Sequence, residues 1–118
     1  MTRRAGRERW GRRAETVAAW WLRLKGYRVL ARCVRTPVGE IDLVVRRGRT
    51  LAFVEVKARS GVDAAADAIT TANRRRISRA ANALLARFGR DCESARIDAV
   101  LVTPWRVPRH VPGAWLGE

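Results

Sequence analysis

Two apolar runs separated by a short turn limit what this chain can fold into more than any other feature. The runs Glu40–Arg46 and Thr50–Ala58 have the composition of β-strands and flank Arg47-Gly48-Arg49. Because the connection is short and contains glycine, we predict an antiparallel hairpin. Three ionisable side chains lie within these apolar runs: Asp42, Glu55 and Lys57. Burying a carboxylate costs free energy unless it is paired or binds a metal, so we interpret the hairpin as a candidate functional site.

The turn determines which side chains of the hairpin face one another. A two-residue type II′ loop favours glycine at its first position, which selects Gly48-Arg49 as the loop. Asp42 then lies opposite Glu55 in the neighbouring strand. By the same register, Glu40 lies opposite Lys57. Opposed side chains have Cβ atoms roughly 5 Å apart, so one cation could contact both Asp42 and Glu55. A loop shifted by one residue toward the N-terminus would place an arginine at positive φ, which is unfavourable.

A first amphipathic helix is predicted ahead of the hairpin. Its apolar side chains recur at helical spacing: Trp10, Ala14, Val17, Trp21 and Leu24. This spacing places them on one face of a helix, and Gly26 is a natural stop. Glu15 lies at the edge of this face, in the neighbouring row with Ala18 and Leu22. Without further information, a surface ion pair with an arginine accounts for Glu15.

The remaining elements predict an α/β fold. A strand over Tyr27–Arg35 precedes the hairpin, and a second helix over Thr71–Phe88 leads to a last strand over Arg96–Thr103. The apolar face of the second helix consists of Ile77, Ala81, Leu84 and Phe88. The order αβββαβ gives one mixed sheet flanked by helices, because the second helix allows the last strand to pair in parallel.

Length and composition predict one globular domain over residues 1–118, with a basic arm over 1–9 and a loop-rich tail over 104–118. No run approaches the roughly 18 apolar residues of a membrane span, and no apolar signal-peptide core follows the basic N-terminus. We therefore expect a cytoplasmic protein that does not enter a membrane. The two cysteines, Cys33 and Cys92, lack the spacing of a disulfide scaffold or a zinc site, so we interpret them as structural thiols.

The formal net charge of +14 predicts binding to a polyanion, with nucleic acid as the leading candidate. A G+C-rich genome would explain arginine in place of lysine, but not 25 basic residues against 11 acidic ones. The candidate phosphate contacts are Arg12, Arg13, Arg46, Arg47, Arg49, Arg59, Arg74, Arg75, Arg76 and Arg79. Phosphate contacts position a protein without reading sequence, so we expect binding that selects DNA structure. Most tryptophans are expected in the core, with Trp20 as a candidate for stacking on a base, and His110 is interpreted as a surface or loop residue.

The acidic hairpin suits phosphodiester hydrolysis, which needs an activated water, neutralised charge on the phosphate and a protonated leaving oxygen. A Mg²⁺ ion held by one or two carboxylates supplies the first two, and a nearby lysine can orient or deprotonate the water. Asp42 and Glu55 could bind the ion, with the backbone carbonyl of Val56 as a further ligand. Only two of the 25 basic residues are lysines, which favours a specific role for Lys57. The alternative is a salt-bridge cluster on an exposed sheet face.

Asp42, followed one strand later by Glu55-Val56-Lys57, resembles the signature of the PD-(D/E)xK nuclease superfamily, whose core is αβββαβ. More specifically, six segments resemble the YraN-like family of predicted bacterial endonucleases: Ala14–Ala18, Gly26–Leu30, Gly39–Val44, Phe53–Arg59, Arg96–Val100 and His110–Ala114. The similarity spans roughly residues 6–114 and extends remotely to archaeal Holliday-junction resolvases. It implies a single restriction-endonuclease-like domain.

The resemblance implies a Mg²⁺-dependent DNA endonuclease, with Mn²⁺ as an alternative ion, that acts on branched or damaged DNA. It implies Asp42 and Glu55 as metal ligands and Lys57 as the catalytic lysine. Glu15 matches the acidic position that completes the metal site in resolvase-like members. Glu40 also matches the family pattern, without a defined role. A nuclease that cuts both strands of a junction needs two sites, which is compatible with a homodimer.

Two departures from the family pattern leave alternatives open. Asn73-Arg74 stands where the family usually carries lysine, often followed by glutamine, and Arg32-Cys33 stands where it carries Arg-Asn. The first change removes a basic or amide group that could help to position the phosphate or the water. A non-enzymatic nucleic-acid-binding module on the same fold is therefore the main alternative. A chromosome or ribosome accessory protein, whose acidic cluster docks a partner, is a third.

Overall fold

The computed structural model describes residues 3–58 and 71–115, with side chains over 12–58 and 74–114. The described helices are α1 (Arg3–Leu24) and α2 (Thr71–Phe88). The described strands are β1 (Arg28–Thr36), β2 (Gly39–Arg47), β3 (Thr50–Ala58), β4 (Ser94–Val102) and β5 (Arg109–Trp115). They form a five-stranded sheet in the order β1-β2-β3-β4-β5. The mixed α/β architecture predicted from the sequence is confirmed.

The sheet is antiparallel except between β3 and β4, which run parallel. The crossover through α2 makes this possible, as the sequence predicted. Lys57 lies beside Leu101, and Ala58 lies beside Val102. The C-terminal ends of β3 and β4 therefore meet at one end of the sheet, which we call the carboxyl end. The β2–β3 turn lies at the opposite end.

The β2–β3 hairpin has the predicted register over its regular pairing, which runs from the turn to Leu43 and Val54. The expected position of Glu40 opposite Lys57 lies beyond this pairing. Gly48 has a φ of 60° and begins a two-residue turn, as expected for a type II′ loop. The regular pairing ends at Leu43 and Val54, and the next two residues in this register are Asp42 and Glu55.

Within the tail predicted to be loop-rich over 104–118, β5 occupies Arg109–Trp115, which corrects the sequence prediction for these residues. β5 lies at the edge of the sheet and pairs antiparallel with β4, placing His110 beside Val100. Pro112 and Gly113 interrupt the alternation of apolar and polar residues that usually marks a strand, so the sequence underestimates this element. An edge strand tolerates proline because one side of its backbone needs no partner in the sheet.

Each helix packs against a separate cluster of sheet side chains. α2 buries the face predicted for it, with Ile77, Ala81 and Leu84 in the core and Phe88 packed against them. This cluster includes Phe53 from β3. Side chains of α1 pack against the other cluster, which contains the alternate residues of the same strands. Neither described helix is long and apolar enough to cross a membrane.

α1 contacts the sheet through Ala14 of the predicted face and mainly through the neighbouring row of side chains. Its buried residues are Ala14, Ala18, Ala19 and Leu22. Val17 and Leu24, which were assigned to the apolar face, are 40% and 78% exposed. Two adjacent rows of α1 are apolar, and periodicity alone does not select between them. The row that contains Glu15 therefore turns toward the sheet. α1 also begins at Arg3, so the backbone of most of the expected arm over 1–9 is helical.

The tryptophans whose side chains are described do not lie in the core, contrary to the sequence prediction. Trp20 is exposed on α1, and the Arg23 guanidinium carbon lies 5.2 Å from its ring centroid. Trp21 is half-buried, and Trp105 is fully exposed between β4 and β5. Small alanines on α1 fill the space against the sheet instead, so large indoles are left on the surface.

Candidate functional site

Asp42 and Glu55 lie side by side toward the carboxyl end of the sheet. The Asp42 carboxylate accepts a hydrogen bond from the Val56 N–H, with 2.8 Å between Val56 N and Asp42 Oδ2. It also shares a side-chain hydrogen bond with Glu55. Both carboxyl groups thus occupy the point where regular pairing between β2 and β3 ends. The hairpin register predicted this neighbourhood.

Burial and the proximity of the two carboxyl groups disfavour full ionisation of the pair. Burial of Asp42 and the negative charge of Glu55 raise the pKa of the Asp42 carboxyl to about 8. The hydrogen bond from the Val56 N–H acts in the opposite direction but is outweighed. The pair therefore holds a proton at neutral pH. A divalent cation could replace that proton, because it favours the ionised form of both groups.

Lys57 forms an ion pair with Glu55 in the same cluster. Lys57 Nζ lies 2.9 Å from Glu55 Oε1, and both side chains are 14% exposed. The salt-bridge cluster considered as an alternative would lie open to solvent, whereas this pair is largely removed from it. Ion pairs removed from water add little net stability, because desolvation offsets their attraction. The ion pair by itself therefore adds little to the stability of the fold.

The oxygen donors at this position suit Mg²⁺ or Mn²⁺. The N–H and C=O of one strand residue point to the same side of the strand, so the Val56 carbonyl is directed toward the side on which its N–H meets Asp42. Among the described side chains, no three His, Cys, Asp or Glu groups converge as a metal site. Mg²⁺ is commonly held by one or two carboxylates and keeps several waters, so Asp42 and Glu55 are compatible with it.

An open cleft of about 230 Å³ adjoins the carboxylates and is lined by Glu40, Asp42, Glu55, Arg76 and Ile77. β2 and β3 supply its acidic side, and α2 supplies its basic side. Gly39 permits the close approach of α2, because a Cβ there would lie 2.9 Å from Arg76 Cγ and 3.3 Å from the Arg76 carbonyl oxygen. The cleft therefore combines a guanidinium, which binds phosphate well, with the carboxylate pair.

Glu15 approaches the carboxylate pair from α1. Its Oε1 accepts a hydrogen bond from the Cys33 thiol, with 2.8 Å between Cys33 Sγ and Glu15 Oε1. Its negative charge contributes to the raised pKa of Asp42, so the two groups lie within electrostatic range. The cleft is lined by other residues. The structure thus brings Glu15 near the site without placing it beside Asp42 and Glu55 in the cleft.

Cys33 occupies an unusual backbone conformation in β1. Its φ is 51°, in the left-handed region that residues other than glycine, asparagine and aspartate rarely adopt. The hydrogen bond to Glu15, burial and nearby negative charges raise the pKa of the thiol to about 11. The thiol is therefore protonated at neutral pH and is not a reactive thiolate. Asparagine would suit this φ better than cysteine does.

The first turns of α2 carry positive charge where the helix macrodipole favours negative charge. No acidic residue lies in the first turn, and the arginines near this end are Arg74, Arg75, Arg76 and Arg79. Cations at a helix N-terminus raise the free energy of the folded state, and an anion bound beside them lowers it. Because Arg76 also lines the cleft, the carboxylates and this basic helix end form one surface suited to a metal and a phosphate.

Comparison with known proteins places this chain in a family. A family model described as "Uncharacterised protein family UPF0102" matches residues 14–102, which contain Glu15, Asp42, Glu55 and Lys57. A UPF0102 protein of Rhizorhabdus wittichii is 52% identical over 118 residues, covering 100% of both chains. The chain belongs to the UPF0102 family.

Two further UPF0102 proteins show similar identity. That of Parvibaculum lavamentivorans is 57% identical over 108 residues, which cover 91% of this chain and 81% of the relative. That of Methylorubrum extorquens is 57% identical over 106 residues, which cover 89% of this chain and 83% of the relative. The similarity therefore extends well beyond the hairpin and includes both helices.

The hairpin arginines of this UPF0102 chain do not lie with the carboxylates. Thr50, next to the turn, is seven positions before Lys57 in β3, a span of roughly 23 Å. The three arginines contact protein groups at that end: Arg46 the Gly48 carbonyl, Arg47 the Tyr27 ring, and Arg49 the Glu93 carboxylate. They are therefore separated from the arginines of α2, with which the sequence grouped them as candidate phosphate contacts.

The other candidate phosphate contacts are placed in two regions. Arg12 and Arg13 are exposed on α1. Arg74, Arg75 and Arg79 are exposed on α2, near the cleft that Arg76 lines. Arg59 and the side chain of Asn73 lie outside the described residues.

A buried pair of Asp98 and His110 is a feature that the sequence did not predict. The interpretation of His110 as a surface or loop residue is wrong, because its side chain is 1% exposed and its Nε2 lies 2.8 Å from Asp98 Oδ2. Asp98 also accepts hydrogen bonds from Arg96 Nε at 2.8 Å and the Gly113 N–H at 2.9 Å. Lys25 Nζ lies 2.5 Å from His110 Nδ1, and an ammonium can only donate, so Nε2 carries the proton donated to Asp98. An aspartate within an apolar strand was the available signal, since a buried carboxylate needs partners.

Proposed function

We propose that this UPF0102 protein is a metal-dependent endonuclease that hydrolyses phosphodiester bonds in DNA, with Mg²⁺ or Mn²⁺ as the metal. The observation that carries the proposal is the grouping of Asp42, Glu55 and Lys57 toward the carboxyl end of the sheet. Two adjoining carboxyl groups hold a proton that a divalent cation would displace, and an ammonium nitrogen lies 2.9 Å from one of them. The resemblance to PD-(D/E)xK nucleases and to YraN-like endonucleases supports the same activity.

Each residue has a chemical task in this proposal. Asp42, Glu55 and the Val56 carbonyl would hold the metal, which when bound supplies an acidified water and neutralises phosphate charge. The Lys57 ammonium orients the attacking water and stabilises negative charge that develops on the phosphate. Glu55 keeps this ammonium in place through the ion pair. Arg76 binds a phosphate oxygen of the DNA backbone from within the cleft.

DNA is the proposed substrate because the net charge of +14 and the arginines of α2 suit a phosphate backbone. Guanidinium groups that contact phosphates do not read bases, so the proposed activity selects DNA structure, such as a branched or damaged site. A homodimer with one site for each strand, located in the cytoplasm with the DNA, completes the proposal.

Cleavage of a set of DNAs tests this activity. The set contains linear, nicked, flapped and four-way-junction DNA, each incubated with Mg²⁺, Mn²⁺ or EDTA. The test variant is Glu55→Ala, and the matched control is Glu93→Ala, which removes an exposed carboxylate paired with Arg49 near the hairpin turn. We expect metal-dependent cleavage by the wild type and the control, and its loss in Glu55→Ala. Equal cleavage by the two variants would contradict the assignment of the site.

A non-enzymatic nucleic-acid-binding module is the second candidate function. The observation that favours it is that no third carboxylate, cysteine or histidine completes a metal cluster among the side chains described over 12–58 and 74–114. Such a module would bind DNA in EDTA with a steep salt dependence and leave every DNA of the set intact.

A further inference from the structure

The connection between β4 and β5 carries a fully exposed tryptophan. Residues 103–108 form this connection, and the side chain of Trp105 is fully exposed to solvent. Tryptophan is usually among the most buried residue types on average, and its ring offers a large apolar surface. Val107 in the same connection is also exposed. Both apolar side chains therefore lie in water and are not packed against the rest of the described fold.

The backbone holds Trp105 in a conformation that bulky residues rarely adopt. Its φ is 63°, in the left-handed region. Such positions cost free energy and cluster at binding and catalytic sites. Pro104 and Pro108 bracket the connection, and their fixed φ angles reduce the number of conformations available to it. The exposed ring is therefore presented by a restrained segment.

The sheet topology places this connection at the carboxyl end, where the candidate metal site lies. β4 runs parallel to β3, and Val102 lies beside Ala58, the residue after Lys57. Trp105 follows Val102 by three residues, which span at most about 10 Å of chain. The indole thus projects from the same end of the sheet as the proposed catalytic lysine.

Positive charge accompanies the indole. Arg106 and Arg109 are both exposed. Arg109 lies beside Leu101, which in turn lies beside Lys57, so the two cationic residues are two strands apart in one row of the sheet. Strands are spaced by roughly 4.8 Å, which gives about 10 Å between these two backbone positions. An exposed aromatic ring flanked by cations is the arrangement with which proteins bind single-stranded nucleic acid.

We propose that Trp105 stacks on an unpaired base of the DNA, while Arg106 and Arg109 contact the phosphates on either side of that base. The inference rests on the proposed endonuclease function, and it names the substrate class as DNA with an unstacked base near the cleaved bond. Flaps, junctions and single strands offer such a base, whereas a continuous duplex keeps its bases stacked. An exposed ring beside a cation can also bind an anionic membrane surface. A parallel titration with anionic vesicles distinguishes membrane binding from DNA binding.

The test measures binding in EDTA, where no metal-dependent cleavage can occur. Fluorescence anisotropy of labelled oligonucleotides compares a single strand, a flap and a continuous duplex with four proteins: wild type, Trp105→Ala, Trp105→Phe and Leu24→Ala. Leu24 is the control because it is an exposed apolar side chain on a different element, α1. A parallel titration uses vesicles of phosphatidylglycerol and phosphatidylcholine.

We expect Trp105→Ala to weaken single-strand and flap binding by about 5- to 150-fold, the range that base stacking supplies, with little change for the duplex. Trp105→Phe keeps an aromatic face and should retain most of the affinity, and Leu24→Ala should behave as wild type. Equal affinities of Trp105→Ala and wild type for all three DNAs would overturn the proposal. So would a loss of vesicle binding in Trp105→Ala without any loss of DNA binding.

The outcome is separable from that of the cleavage test. Trp105-dependent binding to single strands, together with intact DNA in both metals, would support the stacking role and contradict the endonuclease. Metal-dependent cleavage that is the same in Trp105→Ala for flap and duplex, with unchanged binding, would support the endonuclease and contradict the stacking role.

Discussion

Lys57 Nζ and Glu55 Oε1 lie 2.9 Å apart, and the ion pair they form is largely shielded from water. Glu55 in turn adjoins the Asp42 carboxyl, which shares a hydrogen bond with it. The ammonium group is therefore a monovalent cation held at one of two adjoining carboxyl groups. This relationship connects metal binding and the proposed role of the lysine, because both depend on the same carboxylate.

Replacing Lys57 should separate metal binding from cleavage. In Lys57→Met the ammonium is lost, so we expect single-turnover cleavage at saturating Mg²⁺ to fall by roughly 10²- to 10⁴-fold. Mn²⁺ should bind at least as tightly as in the wild type, because a competing positive charge has been removed. Lys25→Met is the matched control, since Lys25 contacts His110 instead. Undiminished cleavage by Lys57→Met would exclude a catalytic role for this lysine.

Asp42 should make the metal-free protein less stable as pH rises. The folded-state pKa is about 8 against an ordinary value of 3.8, because burial and Glu55 disfavour the charged form. Between these values the unfolded chain has released the proton that the folded protein keeps, so the free energy of unfolding falls from about pH 4 to about pH 8. This stability is fully present below pH 4 and is lost as pH rises through 8.

Asp42→Asn should remove this pH dependence, because asparagine resembles the protonated carboxyl. In EDTA at pH 8 we expect the variant to be more stable than the wild type by on the order of 2 kcal/mol in thermal or urea unfolding. Added Mg²⁺ should stabilise the wild type and leave the variant unchanged. A variant that is less stable than the wild type at pH 8 would show that the two carboxyl groups do not repel each other.

Asp98 should have the opposite effect on stability. Burial alone would raise the pKa of Asp98, but hydrogen bonds from His110 and Arg96 outweigh it and hold the pKa below its ordinary value. The stabilisation is therefore present above about pH 4 and is lost as pH falls through the lowered pKa. We expect Asp98→Asn to cost about 3 kcal/mol at pH 7, because it leaves the partly buried Arg96 guanidinium without its carboxylate. Urea unfolding measures this, and a change under 1 kcal/mol would show that the pair does not hold β5 in place.

Two arginine variants should differ although each removes one positive charge. Arg76 lines the cleft, whereas Arg49 pairs with the exposed Glu93 near the hairpin turn, with 3.3 Å between Arg49 Nη1 and Glu93 Oε1. We expect Arg76→Gln to weaken DNA binding and to reduce the slope of log affinity against log salt by about 1. Arg49→Gln should leave that slope unchanged. Equal effects of the two variants would indicate general attraction by net charge.

The hairpin and its acidic pair could be predicted because local chemistry determines them. Gly48 fixes the turn, with a φ of 60°, and the turn fixes the register that brings Asp42 next to Glu55. Gly26 ends α1 as predicted, with a φ of 94° and a hydrogen bond from the Tyr27 N–H to the carbonyl of residue 22. Both features depend on residues close together in the sequence.

The errors occur where packing between distant segments decides the outcome. Two adjacent rows of α1 are apolar, and only contact with the sheet shows that Ala18 is buried while Val17 is exposed. β5 is a weak strand by sequence, and it forms because His110 and Gly113 bind the buried Asp98. Trp105 is likewise exposed because it lies in the connection that follows β4, although tryptophan is a residue type that is usually buried.

The most direct test of the carboxylate pair as a cation site is calorimetric titration of the metal-free protein with Mn²⁺ at pH 7. The titration is run in two buffers with different ionisation enthalpies, on the wild type, Asp42→Asn and the Glu93→Ala control. We expect saturable binding that releases up to one proton in the wild type and the control, and no saturable binding in Asp42→Asn. Absence of binding in the wild type, or equal binding with no proton release in Asp42→Asn and the wild type, would contradict the assignment of Asp42 and Glu55 as the metal site.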